Sequence, residues 1–544
     1  MKTAPRRWGP ALEGGFAAGL GALQALAFAH TPVAPQMASA TAPQTALSPL
    51  SSLSSLLPLL PLLPILTRAW LVWRLDTATP RRAALLGWCY GTAWLCAGVW
   101  WLFISMHRYG VLPAPLAAAA VFALSAALSL YLAAATAAYA HWRRGTAADA
   151  VLFAALWLLA ELARAVIFTG FPWLAAGYSQ IDSPLAALAP WLGVYGMGAV
   201  MAALAVGAVR LLRSRGRQWA AATAAATLVV LAVVAPAGFT QPAGDISVAL
   251  LQTNVKQDEK FASERLPESL AWVARELMAA QADLVLAPET AVPLLPSQLK
   301  DFAPGYWDML QAHFDAPGRA ALVGVPLGDF ERGYTNSVVG LSSTVGGYRY
   351  DKWHLVPFGE VIPTGFRWFT EMMNIPLGDF SRGVLNPPSF VVGGQRVGPN
   401  ICFEDLFGEE LARRFADAAT APTVLANISN IGWFGDTVAI AQHLNISRLR
   451  TLELQRPMLR ATNTGATAVI DHQGRVTAEL APLTRGVLLA RVQGRQGVTP
   501  FAWWAARFGL WPLWAWAALA VLAVTAFKPS ASAAPAVPLD EAGP

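Results

Sequence analysis

Charge is what this chain has least of. Asp, Glu, Lys and Arg make up 13% of its 544 residues, while 55% are hydrophobic. An ordinary soluble domain carries about 25% charged residues, so the composition excludes a simple soluble protein. Cysteine is nearly absent too, and three of them exclude a disulfide framework. Cys89 and Cys96 share one apolar run and one helix face, the place of packing residues; Cys402 stands alone. The seven histidines form no ligand-spaced cluster with acids or cysteines, so no metal site is expected. His354 and His443 are read as structural or substrate-contacting. No Gly-rich phosphate loop of the usual spacing occurs, and no cofactor is implied. The net charge of +6 would suit a nucleic-acid binder, but no basic helix or aromatic-interleaved patch carries it, so no nucleic acid is expected as a partner.

The apolar residues are blocked rather than spread. They fill the first 240 residues and a stretch near the end, which places the chain in the membrane class. A helix crossing the hydrocarbon core needs about 20 apolar residues. Runs at 11–31, 53–73, 83–104, 114–140, 148–170, 184–209, 218–239 and 507–527 meet that length. The second contains Pro58, Pro61 and Pro64 and is expected to kink or insert only in part. The basic residues settle direction. Lys2, Arg6 and Arg7, then Arg74, Arg81 and Arg82, then Arg143 and Arg144, then Arg210, Arg213, Arg215 and Arg217, and finally Lys528 fall in alternate loops. The positive-inside rule makes those loops cytoplasmic. About eight spans then divide the chain into an N-terminal transmembrane domain (1–240), an extracytoplasmic domain (241–506), a last transmembrane helix (507–527) and a disordered cytoplasmic tail (528–544). Loop 32–56 is low in charge and rich in Ala, Pro, Ser and Thr. Glu161 and Arg164 lie three apart in the fifth span, where they either satisfy each other or hold a lipid headgroup or the outer domain.

From Asp245 the texture changes to short apolar strands alternating with amphipathic helices, the pattern of an α/β sandwich. Three polar residues stand at strand ends or their connections: Glu289 after DLVLAP, Lys352 in YRYDK, and Cys402 at the strand-to-helix switch of NICFED. A thiolate at a helix start is favoured by the local dipole. Glu404 and Asp405 follow at once and oppose a second negative charge unless a cation such as Lys352 is near. Glu289 is the group available to take the thiol proton.

Glu, Lys and Cys in that order, in the contexts LAPET, DKWHLVPFGE and ICFED, resemble the nitrilase (carbon–nitrogen hydrolase) superfamily. The longer strings TGFPWLAAGYSQID, KWHLVPFGEVIP, ICFEDLFGEE, NISNIGWFG and LELQRPMLRATNTGATAVI resemble the apolipoprotein N-acyltransferases within it. The resemblance implies an α-helical membrane bundle joined to an αββα nitrilase-like sandwich in a bacterial inner membrane, with the catalytic domain on the periplasmic side and both termini cytoplasmic. It implies Cys402 as nucleophile, Glu289 as general base and Lys352 as stabiliser of the oxyanion, with Glu360 and Glu404 as supporting acids. It further implies a phospholipid as acyl donor, usually through its sn-1 chain, a thioester on Cys402, and the α-amine of a diacylglyceryl-cysteine apolipoprotein as acceptor. Phe366, Trp368, Phe369, Trp433 and Phe434 are read as lids that guide acyl chains. The chain departs from many members at Thr290, at Ile431-Gly432 and at Phe261. Two other readings compete: a membrane-tethered amidase that passes the acyl group to water, and a transporter or receptor whose outer domain only binds.

Overall fold

The computed structural model describes residues 9–28, 59–213, 238–343, 347–362, 365 and 380–526. Most of the expected seventh span, loop 32–56, the tail from 528, and Phe366, Trp368 and Phe369 lie outside the described residues.

Four described helices are long and apolar enough to cross a membrane: those within Ala11–Phe28, Ala114–Trp142, Ala148–Thr169 and Pro184–Arg213. Two bent pairs bring the number to six if each counts as one span. Pro80–Gly98 meets Leu102–Tyr109 at 64°, and Pro500–Phe508 meets Trp511–Ala526 at 92°. The expectation of about eight spans is not confirmed among the described residues. Within the run 53–73 the α-helix Leu63–Leu75 is described, about 20 Å at 1.5 Å per residue, while residues 53–58 lie outside the described residues.

The two ends of the bundle differ. At one end, arginines from separate loops converge on buried acids. Arg74 and Arg82 pair with Glu13, and Arg210 and Arg213 with Asp76; Arg210 also reaches Asp149 at 2.7 Å. At the other end the bundle meets the α/β domain. The helix Ala189–Arg213 is broken at Gly193 (φ 67°), and the amide that this break frees, Val194 N–H, donates to Glu453 Oε1 at 2.7 Å. Trp101 and Trp173 both donate their indole N–H to Gln442 Oε1 (3.0 and 2.8 Å), and Gln442 Nε2 donates to the Gly98 carbonyl at 2.9 Å. Such partners satisfy backbone and indole groups that the apolar interior would otherwise leave bare. Glu161 and Arg164 do not bond to each other. Glu161 accepts from Ala176 N–H at 2.8 Å, and Arg164 lies over the Trp94 ring.

The α/β domain has two six-stranded sheets. The first is formed by β1 (Thr240–Gln252), β2 (Leu284–Leu286), β3 (Ala320–Asp329), β4 (Gly333–Ser342), β5 (Tyr348–Asp351) and β12 (Gly486–Gly497), in the order β12-β1-β2-β3-β4-β5. The second contains β6 (Phe390–Val392), β7 (Gln395–Ile401), β8 (Val424–Ser429), β9 (Met458–Thr462), β10 (Ala468–Ile470) and β11 (Val476–Glu479), in the order β11-β10-β9-β8-β7-β6. At the centre of each sheet three strands run parallel: β1, β2 and β3 in one, β7, β8 and β9 in the other. Central parallel strands are covered on both faces and so are apolar throughout. In β1 the period of two sends Val248 and Leu250 to the core between the sheets, and Ala249 and Leu251 to the helices Leu266–Ala279 and Tyr306–Phe314 outside. The helices Ala439–Leu454 and Pro500–Phe508 cover the other sheet. These layers make an αββα sandwich. Phe403, Leu406, Phe407, Ile446 and Leu449 belong to the same apolar core as the membrane helices, so the layer that follows Cys402 rests directly on the bundle.

Candidate active site

Strand ends bring the three expected residues together. Glu289 follows β2, Lys352 follows β5, and Cys402 follows β7. Cys402 has φ 51°, a left-handed conformation that is costly for a residue with a β-carbon. It makes a sharp elbow between β7 and the 3₁₀ turn Cys402–Leu406, leaving the side chain only half-buried. The elbow is held from beneath. His443 Nε2 donates to the Cys402 carbonyl at 3.1 Å while its Nδ1 accepts from Arg460 at 3.2 Å, which fixes the tautomer. Burial, then Arg460, pushes His443 well below the usual imidazole value; it is neutral and committed to the main chain, so it is not the base. Arg460 in turn pairs with Asp405 at 3.3 Å, and burial lifts Asp405 to about 6.

Glu289 is fixed just as closely. Glu289 Oε1 accepts from Asn336 Nδ2 and its Oε2 from Asn430 N–H, both at 2.7 Å. Strand β3 passes so close behind it that a β-carbon at Gly324 would stand 2.3 Å from the Pro288 carbonyl oxygen. Only glycine fits there. Lys352 is fully buried. Its Nζ lies 2.9 and 2.8 Å from the two oxygens of Glu360 and 3.6 Å from Glu289 Oε1. Asn336 Nδ2 also donates to Glu360 Oε1 at 2.7 Å, so one amide ties both acids. Burial works to lower the Lys352 ammonium, but Glu360 and then Glu289 outweigh it, and the group is held above its usual value. It is a fixed cation. The Cys402 thiol is pushed up, first by burial and then by Glu289, with Lys352 opposing. Such a thiol keeps its proton at rest and gives it up only as a nearby base takes it.

Glu404 occupies a different place from its sequence neighbour. Its carboxylate accepts from four donors: Trp353 N–H at 2.8 Å, His354 N–H at 3.2 Å, Ile401 N–H at 2.7 Å and Tyr350 O–H at 2.5 Å. It ties the Cys402 elbow to the loop that carries Lys352, and no lone pair is left to receive an incoming amine. Replacing Glu404 by Gln turns an N–H against one of these donors, leaving buried groups unpaired. The expected result is a fall of about 10²-fold in kcat/KM from misplacement of Lys352, read by steady-state transfer rates on the folded full chain. An unchanged rate would deny the tie any role.

Trp433 packs edge-on against Tyr109, and Phe434 lies 4.3 Å, ring centre to ring centre, from Trp101. Both therefore touch the bent membrane pair. Phe261 is exposed. Sequence reasoning missed Asn336, Asn430 and Lys260. Asn430 lay within a quoted motif, NISNIG, which was the one signal available for it. Among the described residues no group of His, Cys, Asp and Glu could hold a metal.

Residues 50–207 match the family described as apolipoprotein N-acyltransferase N-terminal domain, and residues 247–500 match carbon-nitrogen hydrolase. An apolipoprotein N-acyltransferase of Verminephrobacter eiseniae is 53% identical over 472 residues, covering 81% of this chain and 87% of that one. Its counterpart in Ralstonia nicotianae is 47% identical over 430 residues, covering 77% and 81%, and that of Bordetella bronchiseptica 42% identical over 485 residues, covering 80% and 86%. A membrane bundle fused to a carbon-nitrogen hydrolase sandwich, alike along most of its length to these enzymes, makes this chain a member of the apolipoprotein N-acyltransferase family.

Proposed function

We propose that this chain moves a fatty acyl group from the sn-1 position of a phospholipid, through a thioester on Cys402, to the α-amine of a diacylglyceryl-cysteine at the N-terminus of an apolipoprotein. Glu289 takes the thiol proton as sulfur attacks the ester carbonyl, and returns it to the glycerol oxygen as the lysophospholipid leaves. It then deprotonates the attacking ammonium in the second half. Lys352 stabilises the oxyanion of both tetrahedral intermediates, with Glu360 and Asn336 fixing its position. Thioesters suit this task because they remain open to attack by an amine.

The observation that carries the reading is the seat of Cys402. It is a strained elbow with a base and a fixed cation beside it, built on a layer that shares its apolar core with the membrane bundle. An enzyme for a small soluble amide has no use for that placement. The arginine clusters gather at the end of the bundle away from the α/β domain, which by the positive-inside rule supports a periplasmic catalytic domain at 241–506 and cytoplasmic termini. Trp433 and Phe434, at the meeting of elbow and bundle, are read as guides for the acyl chain, with Phe366, Trp368 and Phe369 as their partners.

Phosphatidylethanolamine labelled in either the sn-1 or the sn-2 chain, offered with a synthetic diacylglyceryl-cysteine peptide, tests the whole sequence. The expected product is an N-acylated peptide labelled only from sn-1. Label released as free fatty acid in place of the amide would make the enzyme a hydrolase.

A further inference from the structure

A second lysine lies buried at the site. Lys260, on the loop after β1, is 6% exposed, and its Nζ donates to the main-chain carbonyl of Glu289 at 3.0 Å. Among the described residues that is its one hydrogen bond, and no carboxylate pairs with it. Burying an ammonium without a paired anion costs several kcal/mol, so its presence calls for a compensating role. Its loop is not loose packing. Asn463 Oδ1 accepts from Thr253 Oγ1 and Val255 N–H (2.7 and 2.9 Å), and Asn463 Nδ2 donates to the Val255 carbonyl at 2.8 Å. Gln257 Oε1 accepts from Asn430 Nδ2 at 2.8 Å. Asn430 is the same residue whose N–H holds Glu289. One asparagine thus fixes both the carboxylate of the base and the loop whose lysine holds the main chain of the base.

The charge count gives the reason. Glu289, Lys352 and Glu360 all act electrostatically on Cys402, and Arg460 is committed to Asp405. When sulfur attacks the donor carbonyl, the thiol proton moves to Glu289, a C–S bond forms, and the carbonyl π pair becomes an alkoxide. The negative charges are then Glu360 and the alkoxide against Lys352, the same excess of one that Glu289 and Glu360 leave at rest, now moved from the Glu289 carboxylate to the alkoxide. A second cation restores balance, and in a low-dielectric site such balance is worth far more than in water.

We propose that Lys260 is a positioning residue of this acyl-transfer site, anchoring the Glu289 main chain and supplying the second positive charge that the tetrahedral intermediate requires. The inference rests on the Cys402 thioester reading. The groups facing the ammonium are Glu289 and Cys402; on its own loop, Asp258 pairs with Arg108 and Glu259 with Lys256. Burial brings Lys260 down to about 8, so its charge is present below that pH and lost as pH rises through it.

The test is single-turnover acylation of the purified full chain by labelled phosphatidylethanolamine from pH 6 to 9.5, for wild type, Lys260→Arg and Lys260→Met. Wild type is expected to slow as pH rises through about 8. Lys260→Arg keeps its charge, so it should stay within several-fold of wild type at neutral pH and show no such decline. Lys260→Met should be about 10²-fold slower than wild type at pH 6 to 7, with the gap narrowing as pH rises through about 8 and phospholipid KM unchanged. Lys260→Met at the wild-type rate, or Lys260→Arg as slow as Lys260→Met, overturns the proposal. If wild type itself forms no adduct, the thioester reading fails first and takes this inference with it, which separates the two failures.

Discussion

Changing Cys402 to Ala is expected to reduce acyl transfer by about 10⁴-fold or more, leaving no acyl-enzyme at all. Cys402 is the only cysteine outside the membrane region of the chain, and nothing else at the elbow can form a thioester. Serine is the more instructive replacement. It keeps the size and the elbow, but an alkoxide is far harder to generate than a thiolate, and Glu289 is a carboxylate with no imidazole behind it. Cys402→Ser should therefore be nearly as inactive as Cys402→Ala, although both fold. Rapid-quench measurement of label transferred from phospholipid to protein checks this. A serine variant within tenfold of wild type would mean that the nucleophile is activated by something other than the Glu289 carboxylate.

Lys352→Met is the second large effect, and it appears in two quantities. Rate should fall by about 10²–10³-fold through loss of oxyanion stabilisation. Stability should fall too, because the ammonium sits between Glu289 and Glu360, and removing one member of a buried ion network costs about 3–5 kcal/mol. The sign of its pH dependence follows from its position. Burial tends to lower the ammonium, but Glu360 and Glu289 outweigh it and hold it above its ordinary value. Its contribution is therefore complete throughout the neutral range and disappears only as pH rises through strongly alkaline values. Thermal melts of wild type and variant should accordingly differ by the same amount at pH 6 and pH 8. A Lys352→Met variant that melts like wild type at pH 7 would show that the buried acids do not need the cation.

How much of this was legible in the sequence depends on the length scale of the interaction. Glu289, Lys352 and Cys402 each end or follow an apolar strand, and an α/β layer gathers strand ends into one crevice, so pattern offered them as candidates and the resemblance carried by LAPET, DKWHLVPFGE and ICFED singled them out. Asn336 and Asn430 were not. An asparagine inside β4 or just after β8 has no periodic signature, and its meaning arises only when the fold sets its amide or N–H against Glu289. Lys260 sits in an irregular loop, where a lysine reads as solvated until packing buries it. In the membrane half, hydropathy located the apolar runs but could not see bends. The run 83–104 reads as one span, yet the chain turns after Gly98 and resumes as a short helix ending in a π turn at Ser105–Tyr109. Near the C-terminus Gly509 (φ 56°) separates an amphipathic helix from Trp511–Ala526. In the proline-rich run the expectation of a kinked or partial span rested on Pro58, Pro61 and Pro64, and the described α-helix Leu63–Leu75 carries the last of these in its first turn.

The most direct measurement is the mass of the Cys402-containing peptide after the purified chain is incubated with phosphatidylethanolamine alone, without an acceptor. The account predicts an increment of one fatty acyl chain on Cys402, removed by hydroxylamine and discharged when a diacylglyceryl-cysteine peptide is added. An unmodified Cys402 in a preparation that still makes N-acylated peptide would contradict it.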